Sequence, residues 1–468
     1  MTKMEPNPLN PGQVLSTLRE DGSRIWMRPK LSKGRFLRRR QIFGYGLILL
    51  FLGLPFVRIG EHPAILLDVA ARRFYLFGYT FHPTDSPLLM LLLLSIFLGI
   101  FWLTALVGRA WCGWGCPQTV YMELVFRPIE RLIEGPVGAQ RRIDAMSRPS
   151  RRRWGKYAVF GVIAFILGNQ FLSYFVGWER LALWMTSSPA QNPGGFSVMA
   201  ATTALVFFDF AFFREQMCTV VCPYARLQSA LLDRHSMIVG YDEVRGESRK
   251  RLKARMPGDG SGDCIDCKAC VTTCPVGIDI RSGLQLECIN CTQCIDACDK
   301  VMDKIGKPRG LIRLSSQQTL QTGKASKIAR PRIFVYPVLI TILLGLMVAF
   351  FGSKGTADVT VLRQLNAPFV VLETGEVRNQ LRVKLVNRLD TSRRFDLRVL
   401  NLPAAAVLAP QFPLPVGAND SATSPIFLTV PAERFDARGR FDAKISISDG
   451  AAFEETVSYV LLGPGKDP

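Results

Sequence analysis

The chain has 468 residues, 48% of them hydrophobic, with mean hydropathy +0.17, and its 58 Lys and Arg against 38 Asp and Glu give a formal charge of +20. So apolar a chain that is also 21% charged keeps its apolar and charged segments apart, which excludes disorder and argues against a purely soluble enzyme. Its twelve Cys are clustered within a long chain, which excludes a small disulfide scaffold.

In chain order, residues 1–40 form a basic N-terminal segment with ten Lys and Arg, ending in Arg38-Arg39-Arg40. The first apolar run, 41–57, is the shortest of five with the roughly 17–25 residues that a bilayer-crossing helix needs. No small-residue cleavage site follows it, so it reads as an uncleaved anchor with Arg58 snorkelling at its end. The loop 61–86 holds two basic residues, Arg72 and Arg73. His62 and His82, each before a Pro, read there as solvated loop residues in preference to an outer metal pair. The second span is 87–107, the third 157–178 and the fourth 194–213. Asp209 lies inside the fourth, where an ionisable residue is a functional candidate as much as a solvated structural one. No span holds a His, so a bis-His haem is not expected, and His235 lies outside the spans.

Two short motifs follow spans two and four: Arg109-Ala-Trp-Cys112-Gly-Trp-Gly-Cys116-Pro117 and Arg214-Glu-Gln-Met-Cys218-Thr-Val-Val-Cys222-Pro223. A helix continuing through each motif places its two sulfurs, at i and i+4, on one face. Buried small residues would explain one such pair. Repetition of Cys-x3-Cys-Pro at equivalent places points to one soft-metal site or two thiol–disulfide couples. Arg109 and Arg214 read as interface anchors.

Residues 214–332 carry the strongest chemical signal. Cys264-x2-Cys267-x2-Cys270-x3-Cys274-Pro275 is followed by Cys288-x2-Cys291-x2-Cys294-x3-Cys298. Each is the bacterial ferredoxin run, whose fourth Cys ligates the other cluster, so two [4Fe–4S] clusters are expected. Cys264, Cys267, Cys270 and Cys298 are assigned to one, and Cys274, Cys288, Cys291 and Cys294 to its partner. Disulfides would need an oxidising compartment, and zinc would not call for the third and fourth Cys at these spacings.

After the fifth span, 333–352, residues 353–468 show strand-like alternation at 381–386, 395–400, 426–430, 443–447 and 456–461. Short strands at this spacing suggest an immunoglobulin-like β-sandwich for binding or structural work. The expected fold is thus a polytopic helical membrane protein of five spans, with a ferredoxin-like two-cluster loop and a C-terminal sandwich. Its domains are 1–40, 41–213, 214–332, 333–352 and 353–468. Lys and Arg number ten in 1–40, two in 61–86, nine in 108–155, one in 179–193 and twenty in 214–332. The positive-inside rule then puts the N-terminus, 108–155 and the cysteine-rich loop in the cytoplasm, and the C-terminal domain outside. The basic excess is topological and needs no nucleic-acid partner. No Walker loop, dinucleotide-binding glycine motif or HExxH is present.

The order of spans, paired Cys motifs, ferredoxin loop, last span and outer β domain resembles the FixG/RdxA/CcoG family of cytochrome oxidase accessory proteins. So do Ala71-Arg-Arg-Phe-Tyr-Leu-Phe-Gly78, Trp111-Cys-Gly-Trp-Gly-Cys-Pro-Gln-Thr119, Cys222-Pro-Tyr-Ala-Arg226, Gly277-Ile-Asp-Ile-Arg281 and Val301-Met-Asp-Lys-Ile-Gly-Lys-Pro-Arg-Gly-Leu-Ile312. The resemblance implies a protein of the bacterial inner membrane, needed for cbb3-type oxidase assembly, that reduces Cu(II) to Cu(I). Its implied partners are oxidase assembly factors and a copper importer or chaperones, with an unspecified electron donor. Cys112, Cys116, Cys218 and Cys222 are the expected copper site or electron relay. A quinol-linked relay and a non-enzymatic copper-delivery scaffold are the alternatives.

Overall fold

A computed structural model describes residues 16–17, 21, 23–60, 62–82, 85–146, 150–252, 260–325, 329–364, 367–451 and 453–465. Most of the basic segment 1–40 before residue 23 therefore lies outside the described residues. The chain folds as two units, one of residues 1–71, 75–78 and 92–344, the other of residues 72–74, 79–91 and 345–468.

Among the described residues four helices are long and apolar enough to cross a membrane: Ser86–Val107, Arg151–Val176, Pro193–Phe213 and Pro331–Gly352. At 22 residues a helix rises about 33 Å, enough for the hydrocarbon core of a bilayer. Many of their apolar side chains are exposed, though Arg151–Val176 buries Phe160, Leu167 and Leu172. Pro331–Gly352 buries no residue, and Phe334, Val338 and Val348 on it are exposed. Such a surface suits lipid, and the helical backbone satisfies its own hydrogen bonds there.

In chain order the first ten helices are α1 (Arg35–Gly53), α2 (Ser86–Val107), α3 (Ala110–Trp114), α4 (Pro117–Tyr121), α5 (Arg127–Glu134), α6 (Val137–Asp144), α7 (Arg151–Val176), α8 (Trp178–Thr186), α9 (Pro193–Phe208) and α10 (Pro223–Leu231). The expected first span falls in α1 and the 3-10 turn Leu54–Phe56. Arg38, Arg39 and Arg40 sit in its first half, so α1 lacks the uninterrupted apolar length of the other four. Pro55 ends it, leaving carbonyls without intrahelical donors. Gln170 of α7 donates to the carbonyls of Phe51 and Leu52 at 3.1 and 3.0 Å, and Tyr174 to Phe51 at 2.7 Å.

The cysteine-rich segment pairs strands Met237–Tyr241 and Ile312–Ser316 antiparallel, with Val239 opposite Leu314. Two helices, Ala269–Thr272 and Gln293–Lys304, each begin just after the second Cys of a run. Their apolar sides join Val239, Ile278, Ile295, Met302 and Leu311 in one core with Cys264, Cys270 and Cys291. This segment also starts α1. Asp296, on Gln293–Lys304, accepts from the backbone N–H groups of Phe36 and Leu37 at 3.2 and 2.8 Å. A carboxylate at a helix N-terminus satisfies orphan donors and complements the helix dipole.

In the second unit, two antiparallel sheets share one core. Glu376–Asn387 is flanked by Ser421–Pro431 and Ala357–Arg363. Arg393–Val399 lies between Leu414–Val416 and Arg440–Ser448, and Glu454–Leu462 pairs on the far side of Arg440–Ser448. The five expected strands are all present. Ala357–Arg363, Val370–Val371, Val407–Leu408 and Leu414–Val416 are additional. Along Glu376–Asn387 the alternate residues Val377, Leu381, Val383 and Leu385 are buried, each worth about 1.5–3 kcal/mol. At the sandwich's edge, Asp85 accepts from Arg388 at 2.6 and 3.0 Å and from Lys354. Next to it His82 is buried, its backbone N–H donating to Asp85 at 2.9 Å. His82 is therefore not the solvated loop residue expected, because Asp85 folds its segment inward.

Replacing Asp296 by Ala should lower the stability of the cysteine-rich segment by about 1 kcal/mol. It would be read as a lower midpoint for thermal loss of the visible absorbance of reconstituted protein.

Candidate functional site

The two cysteine runs fold alike. In the first, Asp266 and Lys268 have φ +49° and +54°; in the second, Asn290 and Thr292 have φ +53° and +62°. In both loops, then, a left-handed residue stands on each side of the second Cys. A β-branched Thr in this region is strained, a cost found at functional sites.

The loops sort their thiols into two cavities. One is lined by Cys264, Cys267, Cys270 and Cys298, with Tyr241, Arg281 and Met302. The other is lined by Cys274, Cys288, Cys291 and Cys294, with Val239, Val276 and Ile289, and Cys270 stands in the walls of both. The donor set fits an iron–sulfur cube: four soft sulfur ligands in each cavity, with apolar side chains around them. Among the described residues no three Cys, His, Asp or Glu close on one point tightly enough for a single metal ion. Cys267 in the first cavity is exposed, and no Cys in the wall of the second is.

The membrane-edge cysteines depart from the expected continuous helix. The chain reverses at Gly108, φ +61°, before α3 carries Cys112; Cys116 is extended, with ψ 125°, and Pro117 opens α4. On the other side Arg214 has φ +55°, the π turn Met217–Val221 carries Cys218, and Cys222, with ψ 108°, precedes Pro223 at the start of α10. Each second Cys closes its turn in the same way. Cys116 N–H donates to Trp111 O and Cys222 N–H to Met217 O, both at 2.8 Å. Proline at the first helical position fixes both restarts. π turns of this kind gather at functional sites.

The two pairs lie together. Burial pushes the Cys218 thiol up to about 12, and Cys116, Cys112 and Cys222 are close enough to add to it. Cys112 is pushed up to about 11 by burial, with Cys116 and Cys222 contributing in the same direction. Gln228 accepts from Cys112 Sγ at 3.1 Å and donates to Tyr224 at 2.8 Å and Thr104 at 3.0 Å. Gln118 donates to Asp209 and to Arg214 O, each at 3.1 Å. Asp209 is thus a bonded, half-buried group beside Cys116. Sequence reasoning missed Gln118 and Gln228; the only signal for Gln118 is its place two residues after Cys116.

Arg109 and Arg214 are both buried and are not interface anchors. Arg109 donates to Leu286 O of the second cysteine loop. Arg214 makes two 3.0 Å bonds to Glu130, which also takes Arg28 and, at 3.2 Å, Lys156. Glu215 joins Arg24 at 2.7 Å to Arg127 at 3.3 Å, and Arg127 reaches Pro275 O at 3.2 Å. This network ties α5, α7 and the turn at Arg214 to the residue after Cys274. A third, small cavity lies there, with Cys218, Arg127, Pro275, Val276 and Ile289 in its walls.

Comparison with known proteins follows this division. Residues 213–317 match the family model of a 4Fe-4S dicluster domain, 89–136 that of a 4Fe-4S binding domain, and 347–464 that of the Ig-like fold at the C-terminus of FixG. Apolar helices, two cysteine-lined cavities and these matches define a membrane-associated iron–sulfur electron-transfer protein. Nitrogen fixation protein FixG of Rhizobium meliloti is 35% identical over 92% of this chain and 91% of its own. Proteins RdxA and RdxB of Cereibacter sphaeroides are each 36% identical, over 86% and 88% of this chain and 89% and 91% of theirs. The chain belongs to the FixG/RdxA family. A solved FixG-related protein from Vibrio parahaemolyticus is 19% identical over 23% of this chain and 97% of its own, with a TM-score of 0.20.

Burial alone would push the Glu130 carboxyl up, but Arg214, Arg28 and Lys156 hold it well below its ordinary 4.5. A depressed carboxyl contributes stability in full above the ordinary value and loses it as pH falls below. Wild type should therefore weaken steeply from pH 5 to pH 3, and Glu130→Gln less so. Leaving three buried cations short of a partner should cost Glu130→Gln about 3–5 kcal/mol at pH 7, measured by thermal unfolding.

Proposed function

We propose that the protein reduces Cu(II) to Cu(I) at Cys112, Cys116, Cys218 and Cys222, in the service of cbb3-type oxidase assembly. The observation that carries this reading is the convergence of two Cys-x3-Cys-Pro turns on one place beside a cysteine-lined cavity. Soft thiolates favour Cu(I) over Cu(II), so a four-thiol site draws the reduction forward. Gln228 holds Cys112, and Gln118 holds the turn before Cys218, so the thiols are presented from fixed backbone.

Cys264, Cys267, Cys270 and Cys298 would hold one cluster, and Cys274, Cys288, Cys291 and Cys294 the other. Bound there, each would accept and release one electron. In this reading α1 is a fifth span: Ile42, Leu49 and Leu50 on it are exposed apolar residues, and α7 satisfies its terminal carbonyls. The basic segments then place the cysteine-rich loop in the bacterial cytoplasm and the sandwich in the periplasm. The sandwich would meet assembly factors, and a copper importer or chaperone would bring or take copper.

A quinol-linked relay is the second reading. It is favoured by an apolar groove between α7 and α9, walled by Tyr157, Phe165, Phe196 and Phe207 with Thr203 among them.

The test is anaerobic. Protein reduced with dithionite and freed of excess receives Cu(II), while EPR follows the clusters and a chelating dye follows Cu(I). Wild type should form one Cu(I) per electron lost, and the Cys112→Ser/Cys218→Ser double variant should retain its clusters but form none. Clusters that stay reduced while copper binds would sink the reductase reading in favour of delivery. Cluster reduction by an added quinol would move the relay ahead.

A further inference from the structure

The two cluster cavities differ in three ways that give an electron a direction. The first is exposure: Cys267 of the Cys264 set is exposed, whereas no Cys of the Cys288 set is, Cys291 being buried and Cys274, Cys288 and Cys294 half-buried. The second is contact with the membrane-edge thiols. Gly113, next to Cys112, packs flat on the second cysteine loop, and a Cβ there would lie 2.9 Å from Cys291 N and 3.0 Å from Asn290 C. Trp114 donates to Asn290 O at 3.3 Å. Val276 and Ile289 stand both in the second cluster cavity and in the cavity that holds Cys218. The first cluster cavity shares only Cys270 with the second, and no wall residue with the one at Cys218.

The third difference is charge. Arg281, in the wall of the first cavity, is paired with two carboxylates, Asp266 at 2.6 Å and Asp279 at 2.7 Å. Arg40 and Arg109, beside the second, are buried and donate to backbone carbonyls, Arg40 to Gly113 O at 2.7 Å and Arg109 to Leu286 O. Among the described residues neither forms a salt bridge. Arg109 reaches the residue two before Cys288, and Arg40 reaches Gly113, which packs on Cys291 N. Glu123 offsets part of the Arg40 charge, and the surplus positive charge in a low-dielectric site stabilises an added electron.

We infer that electrons enter at the Cys264 site, collect at the Cys288 site because Arg40 and Arg109 raise its potential, and leave across the Gly113 contact to the membrane-edge thiols. Arg40, Arg109 and Gly113 are positioning residues in this scheme. One electron from an external reductant, dithionite in the experiment, passes to the first site and then the second. With copper as acceptor, that electron converts one Cu(II) to one Cu(I). The last step rests on the copper reading; the order and the potentials do not.

The experiment is an EPR-monitored redox titration of the full-length reconstituted protein, with no copper present. Wild type should show two centres of different potential. Arg40→Gln should lower the higher one and leave the lower in place, with iron content unchanged. Arg109→Gln should do the same and serves if Arg40→Gln does not fold. A shift in the lower centre instead, or in neither, overturns the direction. Gly113→Ala should keep its iron and slow cluster re-oxidation by Cu(II) by about 10²-fold, as a displacement near 1 Å does in a positioned reaction. Trp114→Phe, which removes only the indole donor, should slow it in the same sense. Wild-type re-oxidation rates in both would overturn the Gly113 contact. If wild type reduces no copper but Arg40→Gln still lowers the higher potential, the copper reading fails and the direction stands.

Discussion

A guanidinium taken out of water must find acceptors, and at the membrane edge of this protein the acceptors belong to other segments of the chain. Arg40 of α1 is satisfied by Gly113 O, Arg109 by Leu286 O, Arg127 by Glu215 and Pro275 O, and Arg214 by Glu130. Each bond joins a helix or a helix-end turn to a different piece of chain. Remove the acceptors and the helices keep their own backbone bonds, but the thiols at their ends lose their fixed relation to the cysteine loop. The ion pairs are costly to bury, and their contribution is specificity of docking more than net stability.

The docking brings two internal repeats face to face. One is the pair of cysteine loops, alike in their left-handed residues on either side of the second Cys. The other is the pair of Cys-x3-Cys-Pro turns, alike in the extended second Cys and the proline restart. Their likeness is in backbone conformation, since few side chains correspond. Where the repeats differ, function has room to enter: Arg281 is paired with two carboxylates, while Arg40 and Arg109 donate to backbone carbonyls. The membrane-edge turns differ too, Gln228 bonding Cys112 and Gln118 bonding the segment before Cys218.

The family model for 4Fe-4S binding that matches 89–136 covers only Cys112 and Cys116 of the twelve cysteines. In the fold the turn that carries them lies beside the turn of Cys218 and Cys222, about a hundred residues on. What holds the two turns in register is the docking of the segments that flank them. The buried Glu130 and Glu215 network supplies that hold.

Spans and clusters are legible in the chain because both are written in short-range pattern. A bilayer demands an unbroken apolar run, and a cube of four thiolates demands Cys at spacings of three and four. The strands of the sandwich declare themselves through alternation at Glu376–Asn387, and those missed, such as Leu414–Val416, are too short to alternate. By contrast, nothing local marks Asp296 as the cap of a helix some 260 residues earlier, or His82 as buried behind Asp85. Local pattern also misled at Cys112–Cys116, where Gly108 and Pro117 interrupt the helix that i, i+4 spacing suggests, and at Arg109 and Arg214, whose charge implied water. The sequence by itself determined which residues could hold iron–sulfur clusters and which segments are apolar enough for lipid. Only the tertiary structure decided that the two distant Cys-x3-Cys-Pro turns lie together, and that the cavity of Cys288 and Cys291 faces them, because buried charge and close backbone contact depend on chain segments that meet only after folding.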